Sequence, residues 1–247
     1  MKKIIKKYWW ILPLVLVMGI AGFVAWAEMA APPMAEAVAA LETDSKIQVT
    51  TEPWLVFTPQ NVQPTTGLIF YPGGRVDPRA YAPMARAIAE QGYLVVIVPM
   101  PLNLAVFSPA KAVQVIRAYP EIQNWVIGGH SLGGSMAANY ASKNPQAVEG
   151  LALLASYPAS SDNLSSSNLP VVSIFGTNDG LATAEKIDNS HFLLPKNVTW
   201  VGIQGGNHAQ FGYYGPQSGD NPATITRDEQ QKAVVGAILE LMNKLDN

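Results

Sequence analysis

Ser131 lies in the stretch GGHSLGG, after an apolar run and before a helix-like segment. The residues from Gly129 to Gly133 match Gly-x-Ser-x-Gly, the pattern of a sharp strand-to-helix turn that presents a serine as a nucleophile. Such a turn strains the serine backbone and leaves little space beside it, so Gly129, Gly133 and Gly134 are predicted to relieve clashes. A tight turn without chemistry is the alternative, and the pattern alone does not exclude it.

A serine hydroxyl becomes a good nucleophile only when a base takes its proton, and histidine commonly does so. The sequence has three histidines: His130, His191 and His208. His130 neighbours the serine in the turn, where its side chain is expected to point elsewhere, and His191 falls in a connecting loop. His208 comes just after the last predicted strand, in a glycine-rich loop. We therefore predict that His208 is the base.

An acidic residue must hold the histidine in the correct tautomer and stabilise its charged form. Asp179 follows the buried segment VVSIFG and precedes a short helix. We predict that Asp179 is this acid, with Asp162 as the second candidate. The alternative for Asp179 is a plain helix N-cap. The order Ser131, Asp179, His208 is the one expected when the serine lies in a strand-to-helix turn.

Two backbone N–H groups must hold the negative oxygen that forms during attack on an acyl carbon. One is predicted to be that of Leu132, directly after the serine, and the other to come from the loop YPGG after an early strand. Pro72 has no N–H, so Gly73 or Gly74 must donate, and both remain candidates. The alternative for this loop is an ordinary Pro-Gly turn.

Strand-like and helix-like segments alternate from Lys46 onwards. This alternation predicts right-handed βαβ units and a doubly wound α/β fold with a mostly parallel sheet of about eight strands. In such a sheet ligands bind at the carboxyl ends of the strands, where Ser131, Asp179 and His208 are all expected. The last five strand segments are nearly continuous apolar runs, which predicts that both faces of those strands are covered. The eight segments are KIQVT, WLVFTP, TGLIFY, YLVVIVP, NWVIGGH, VEGLALLAS, LPVVSIFG and VTWVGIQ.

Residues 1–27 predict a membrane-associated segment. Four lysines are followed by the uncharged, mostly apolar stretch from Tyr8 to Ala27, which as a helix would span a bilayer core of about 30 Å. An uncleaved transmembrane anchor is favoured over a cleaved signal peptide, for which Ala25-Trp26-Ala27 would be the cleavage site. In both cases the lysines stay in the cytoplasm, so the rest of the chain is extracytoplasmic, either anchored or secreted. Residues 28–45 are predicted to form a linker with a short helix, and residues 46–247 the folded domain.

The composition limits the partners. The formal net charge is −2, and four of the lysines lie in the first seven residues. The remaining chain has no basic patch, which argues against nucleic acid. The sequence has no cysteine, so neither disulfides nor cysteine-based metal sites can form. No metal or cofactor is predicted, and the oligomeric state is left open.

Together the segments GGHSLGG, GTND and GGNH resemble the α/β-hydrolase superfamily over about residues 46–245. The stretches YPGGRVDPRAYAPMARAIAEQGYLVVIVPMP and GGNHAQFGYYG look like compact bacterial hydrolases distantly similar to the dienelactone hydrolase group. The resemblance implies Ser131 as nucleophile, Asp179 as acid and His208 as base. Dienelactone hydrolases use cysteine as the nucleophile, so their substrate does not carry over. Tyr71-Pro72 stands where many relatives have His-Gly, which puts the exact oxyanion donor in question.

Many members of the superfamily have a lid domain between the sixth and seventh core strands. Here only the segment from Ala159 to Asn168 fills that gap, which predicts a shallow, open site for a small or flexible ester-like substrate. Met100, Phe211 and Tyr213 follow strand ends and are candidates to line it, although packing is an equally good explanation for each. The sequence thus predicts a serine hydrolase of the carboxylesterase type. The alternatives are a non-catalytic binding protein on the same fold and an acyltransferase.

Overall fold

The computed structural model describes residues 11–246. The lysine-rich head and Tyr8 to Trp10 of the predicted anchor lie outside the described residues. From Ile47 onwards the chain forms one eight-stranded sheet of order β1-β2-β4-β3-β5-β6-β7-β8. The strands are β1 (Ile47–Thr50), β2 (Leu55–Pro59), β3 (Thr66–Tyr71), β4 (Leu94–Ile97), β5 (Asn124–His130), β6 (Gly150–Leu154), β7 (Val171–Gly176) and β8 (Thr199–Ile203).

The pairings are parallel from β4 through β8, and only β2, which pairs with β1 and β4 near one edge, runs in the opposite direction to the other strands. The prediction of a mostly parallel sheet of eight strands is therefore confirmed. One expectation about burial was wrong. β8 was predicted to be covered on both faces, yet it is the edge strand, and most of its residues are partly exposed. Its apolar sequence reflects one packed face rather than two.

Residues 11–246 contain seven α-helices, of which the last five connect or cover strands. They are α1 (Ile11–Glu28), α2 (Ala35–Ala39), α3 (Ala82–Ala89), α4 (Ala112–Ala118), α5 (Leu132–Lys143), α6 (Ala184–Asp188) and α7 (Arg227–Asn243). Helices α3 and α7 pack on the sheet face that carries Leu68 and Phe70. Helices α4 and α5 pack on the opposite face, which carries Ile69 and Tyr71. The alternation along β3 follows from the two-residue period of a strand, and it gives the sheet a core on both sides.

Helix α7 begins with a capping box, which sets where the helix starts. The Thr226 hydroxyl accepts a hydrogen bond from the Glu229 N–H, and the Glu229 carboxylate accepts one from the Thr226 N–H. These bonds satisfy backbone donors that have no partner within the helix. The position of this helix start matters because Gln230, the residue after Glu229, contacts the loop that carries His208, which is described below.

Helix α1 is long and apolar enough to cross a membrane, judged by length and composition. Its 18 residues correspond to about 27 Å at the helical rise per residue. Almost all of its surface is exposed, but Ala27 near its end is fully buried against the domain. A signal sequence would meet the same criteria of length and composition.

Candidate active site

Ser131 lies between β5 and α5, at the carboxyl edge of the sheet. Its backbone has φ 53° and ψ −122°, a conformation that costs energy for any residue with a side chain. The surroundings hold it there. The Ser131 N–H donates to the carbonyl of Leu154 at 2.9 Å, and the hydroxyl of Ser156 donates to the Ser131 carbonyl at 2.7 Å. The serine itself is partly exposed, as a nucleophile must be.

The glycines around Ser131 are required by close backbone contacts. A Cβ at Gly129 would lie 2.5 Å from the carbonyl carbon of Gly133, and a Cβ at Gly133 would lie 2.1 Å from the carbonyl oxygen of Tyr71. At Gly134 it would lie 2.6 Å from the side chain of Ser156. The prediction that these three glycines relieve clashes is confirmed.

His208 follows β8 in a short loop and begins a 3₁₀ turn. Its Nδ1 is 2.8 Å from Oδ2 of Asp179, and both side chains are almost completely buried. Its Nε2 is also buried and has no hydrogen-bond partner among residues 11–246, so it is not bonded to Ser131. A histidine held through Nδ1 with a free Nε2 can accept a proton at Nε2. Catalytic hydrogen bonds are often longer before substrate binds.

Asp179 is not the N-cap of the helix that follows it, because α6 begins at Ala184 and is capped by Thr183. Its Oδ1 instead accepts hydrogen bonds from the N–H groups of Leu181 and Ala182, each at 2.7 Å, in the turn before that helix. Its Oδ2 faces His208. Because each oxygen has its own partners, the turn that follows β7 orients the carboxylate for the histidine.

Two residues that sequence reasoning did not single out hold the histidine loop. The Gln230 amide, fully buried on α7, accepts from the Asn207 N–H at 3.0 Å and donates to the Asn207 carbonyl at 2.8 Å. The Asp220 carboxylate accepts from the N–H of Gly180 at 3.0 Å and of Ala209 at 2.8 Å. It therefore ties the acid turn to the histidine loop. The sequence feature that could have identified Gln230 is a polar side chain on the apolar side of helix α7.

His130 is buried beside His208, with ring centroids 4.5 Å apart. Its Nδ1 is 2.9 Å from the Tyr81 hydroxyl, and its ring stacks on Phe211. Burial, assisted by the neighbouring His208, holds the pKa of His130 well below its ordinary value. This neutral ring is enclosed by the side chains beneath Ser131, and its Nδ1 is engaged with the Tyr81 hydroxyl.

Acid should destabilise the protein through His130. The unfolded chain takes up a proton near pH 6.5, whereas the folded chain does not, so stability falls as the pH drops below that value. We expect this residue to contribute a slope of up to about 1.4 kcal/mol per pH unit, and His130→Gln to remove that slope. Urea unfolding of both proteins at several pH values between 7 and 5 measures the difference. Equal slopes would contradict the prediction, and His191→Gln, at a half-exposed histidine, is the matched control.

The two glycines of the YPGG loop differ in what their N–H groups do. The Gly73 N–H donates to the Tyr81 hydroxyl at 2.9 Å, and that hydroxyl lies against His130. Gly74 lies beside Leu132, since a Cβ built on it would be 3.1 Å from the Leu132 side chain. The N–H of Gly73 is thus already engaged within the protein.

The other titratable candidates lie elsewhere. Asp162 is buried and accepts from the Asn139 side chain at 2.9 Å, so it is held away from His208. His191 contacts the ring of Trp200 and the carboxylate of Asp188. Among residues 11–246 no group of three or more His, Cys, Asp or Glu side chains could hold a metal ion.

The three candidate substrate contacts have packing roles in the structure. Phe211 is fully buried against His130, and Met100 belongs to the core on the α5 side of the sheet. The Tyr213 hydroxyl donates to Asp228 at 3.2 Å, and its ring lies in a cleft with Met84 of α3 and α7 residues. A cavity of about 350 Å³ instead opens beside Gly74, and a larger one of about 610 Å³ lies near the amino ends of β6 and β7, away from Ser131.

Comparison with known proteins identifies the family of this chain. Residues 67–232 match the alpha/beta hydrolase family. The fold resembles Est1E from Butyrivibrio proteoclasticus, with a TM-score of 0.56 and 13% identity over 81% of this chain and 100% of that one. It also resembles the esterase domain of a Rhodothermus marinus protein, with a TM-score of 0.57 and 16% identity over 75% of this chain and 89% of that one. No curated protein matches the sequence. Because the family match spans more than half of the chain, the protein belongs to the α/β hydrolase family.

Proposed function

We propose that this protein is a serine hydrolase that cleaves ester-like acyl substrates through Ser131, His208 and Asp179. The observation that carries the proposal is the buried bond between Nδ1 of His208 and Asp179, which leaves Nε2 without a hydrogen bond to any described residue. The His208 ring lies 4.5 Å from the ring of His130, the chain neighbour of Ser131, whose backbone has a positive φ. That arrangement supplies a nucleophile, a base and an orienting acid. One structural neighbour is the esterase domain of a Rhodothermus marinus protein, which accords with this reaction.

In the proposed reaction the Ser131 hydroxyl oxygen bonds to the acyl carbon while Nε2 of His208 takes the hydroxyl proton. The N–H groups of Leu132 and Gly74 hold the negative oxygen that forms. The ester C–O bond then breaks, and the alcohol leaves with the proton from His208. Water attacks the acyl-enzyme in the same way and releases the acid. The reaction needs no metal or organic cofactor.

We also propose that α1 remains attached as a membrane anchor, with the domain on the extracytoplasmic side. Ala27, the last residue of the possible cleavage site, is fully buried, and its carbonyl accepts from the Asn103 side chain at 3.2 Å. Docked in this way, the site is shielded from a peptidase. The mass of the protein recovered from membranes distinguishes a retained segment from a cleaved one.

Labelling with a fluorophosphonate probe tests the hydrolase proposal. The probe phosphorylates an activated serine, so we expect one label per chain, located on Ser131 by peptide mass spectrometry. The label should be absent after heat unfolding, because activation depends on His208. A folded protein without any label would count against the proposal and favour a binding protein on this fold.

A further inference from the structure

The end of helix α1 contacts the same loops that surround the proposed active site. Asn103, in the loop after β4, donates to the carbonyl of Ala27. The Arg75 guanidinium, directly after Gly74, lies 4.2 Å from the centre of the Trp26 ring and donates to the carbonyl of Met29 at 3.0 Å. The helix therefore ends at the YPGG loop, which carries Gly74, rather than at a distant face of the domain.

The segment after the helix continues this contact. The Ala31 N–H donates to the carbonyl of Arg75 at 2.7 Å, and the Asp77 N–H donates to the carbonyl of Ala31 at 3.0 Å. These bonds form a short parallel bridge between Ala31 and Val76. Since the bridge begins two residues after Gly74, it fixes the distance between the end of α1 and the proposed oxyanion donor.

An exposed apolar turn lies beside α1. Val106 and Phe107, in the loop after β4, are each 51% exposed. This is a large exposed fraction for apolar side chains. The Phe107 ring packs edge-on against Phe23 of α1, with centroids 6.2 Å apart. Phe23 precedes Glu28 by five residues, which is about 7.5 Å along the helix axis. If α1 spans a bilayer, Phe107 is at the depth of the hydrocarbon edge.

Apolar side chains continue from this turn to the nucleophile. Leu104, two residues before Val106, lies 3.4 Å from the Cβ position of Gly74, and Leu132 lies 3.1 Å from it. Leu132 is the residue after Ser131. We call Leu104, Val106, Phe107 and Leu132 the apolar path, and it runs from the side of α1 to the proposed oxyanion site.

A more polar space shares Gly74 with the apolar path. The cavity of about 350 Å³ is lined by Gly74, Arg75, Tyr214, Gln217 and Ser218, together with the segment after α1. Its side chains carry a guanidinium, hydroxyl groups and an amide. An amphiphile could thus place an acyl chain on the apolar path and its polar portion in this cavity, with the ester between them near Gly74.

We propose that the substrate is an acyl ester with a long aliphatic chain that resides in the bilayer and reaches Ser131 laterally along the apolar path. The proposal rests on the hydrolase function and the retained anchor proposed above. The anchor holds the apolar turn in the membrane surface, so the acyl chain passes to Ser131 without crossing water. A long acyl chain contacts the side chains of the apolar path along its length, and a short, soluble ester lacks these apolar contacts.

The depth of the turn can be measured without using activity. The sequence has no cysteine, so a single cysteine at Phe107→Cys can carry an environment-sensitive fluorophore in the full chain in phosphatidylcholine–phosphatidylglycerol vesicles. We expect blue-shifted emission that spin-labelled lipids quench. Phe192→Cys is the matched control, since Phe192 is 70% exposed in a turn before β8, away from α1. Equal, water-like emission at both positions would overturn the proposed membrane contact.

Substrate choice is measured with two fluorogenic esters of the same alcohol, methylumbelliferyl oleate in the vesicles and methylumbelliferyl acetate in the buffer. We expect Phe107→Asp to lower the oleate-to-acetate rate ratio at least tenfold and Phe192→Asp to change it by less than twofold. Equal effects of the two variants, or hydrolysis of acetate without oleate by the wild type, would overturn the inference while leaving the hydrolase intact. Hydrolysis of neither ester, with no fluorophosphonate label, would instead refute the proposed function.

Discussion

Replacing Ser131 with alanine should reduce ester hydrolysis on the order of 10⁴-fold or more, because it removes the proposed nucleophile. The neighbouring hydroxyls of Ser135 and Ser156 are engaged with backbone carbonyls. The same variant should lose all fluorophosphonate labelling. Its free energy of unfolding should change by less than about 0.5 kcal/mol, since the backbone bonds that hold the turn involve the Ser131 N–H and carbonyl rather than its side chain. Initial rates on methylumbelliferyl acetate and urea unfolding measure the two quantities.

A glycine at the same position separates activity from stability. Ser131 has a positive φ, which glycine adopts without a steric penalty. We therefore expect Ser131→Gly to be as inactive as the alanine variant but more stable than wild type by about 1 kcal/mol. Ser165→Ala, at an exposed serine, is the control and should retain full activity. Substantial hydrolysis by either Ser131 variant would rule out Ser131 as the nucleophile.

Asp179→Asn should lower kcat by about 10³- to 10⁴-fold, even though it preserves the shape of the side chain. The reason is the pair of N–H groups, from Leu181 and Ala182, that point at Oδ1. They require an acceptor, so the amide oxygen of asparagine must occupy that position, and its NH₂ group must face Nδ1 of His208. The histidine would then carry its proton on Nε2 and could not accept the proton of Ser131.

The matched control for the Asp179→Asn test is Asp162→Asn. Asp162 is also a buried aspartate, in the loop between β6 and β7, and the sequence offered it as the second candidate for the acid. It accepts from Asn139 and has no bond to His208, so we expect its variant to keep kcat within about threefold of wild type. A pH-rate profile of each variant reports on the histidine. If Asp162→Asn were the more damaging change, the assignment of the acid would be wrong.

The parts of the site that the sequence predicted well depend on local structure. An apolar strand, a serine flanked by glycines and the first residue of a helix lie within a few residues of one another. Short-range sterics alone therefore define the turn at Ser131. The positions of Asp179 and His208 after later strands follow from the alternation of strands and helices. In a parallel sheet the carboxyl ends of the strands lie at one edge, which brings residues far apart in the chain together.

Choices that depend on side-chain packing could not be made from the sequence. Gly73 and Gly74 are the same residue in the same loop, and only the Tyr81 hydroxyl, positioned by a 3₁₀ turn later in the chain, engages the N–H of Gly73. Phe211 follows a strand end, as a substrate contact would, but it is buried because His130 stacks on it. The apolar run of β8 does not show that this strand lies at the sheet edge.

By itself the sequence determined the fold class, the turn that holds Ser131 and the order of its proposed partners, because each is set by local backbone sterics and by the period of apolar residues. The tertiary structure alone decided that the Gly73 N–H is engaged by Tyr81, which oxygen of Asp179 faces His208, and where helix α1 ends relative to Gly74. These depend on contacts between segments far apart in the chain, such as Phe23 with Phe107. Such contacts arise only when the whole domain packs, since no local pattern of residues encodes them.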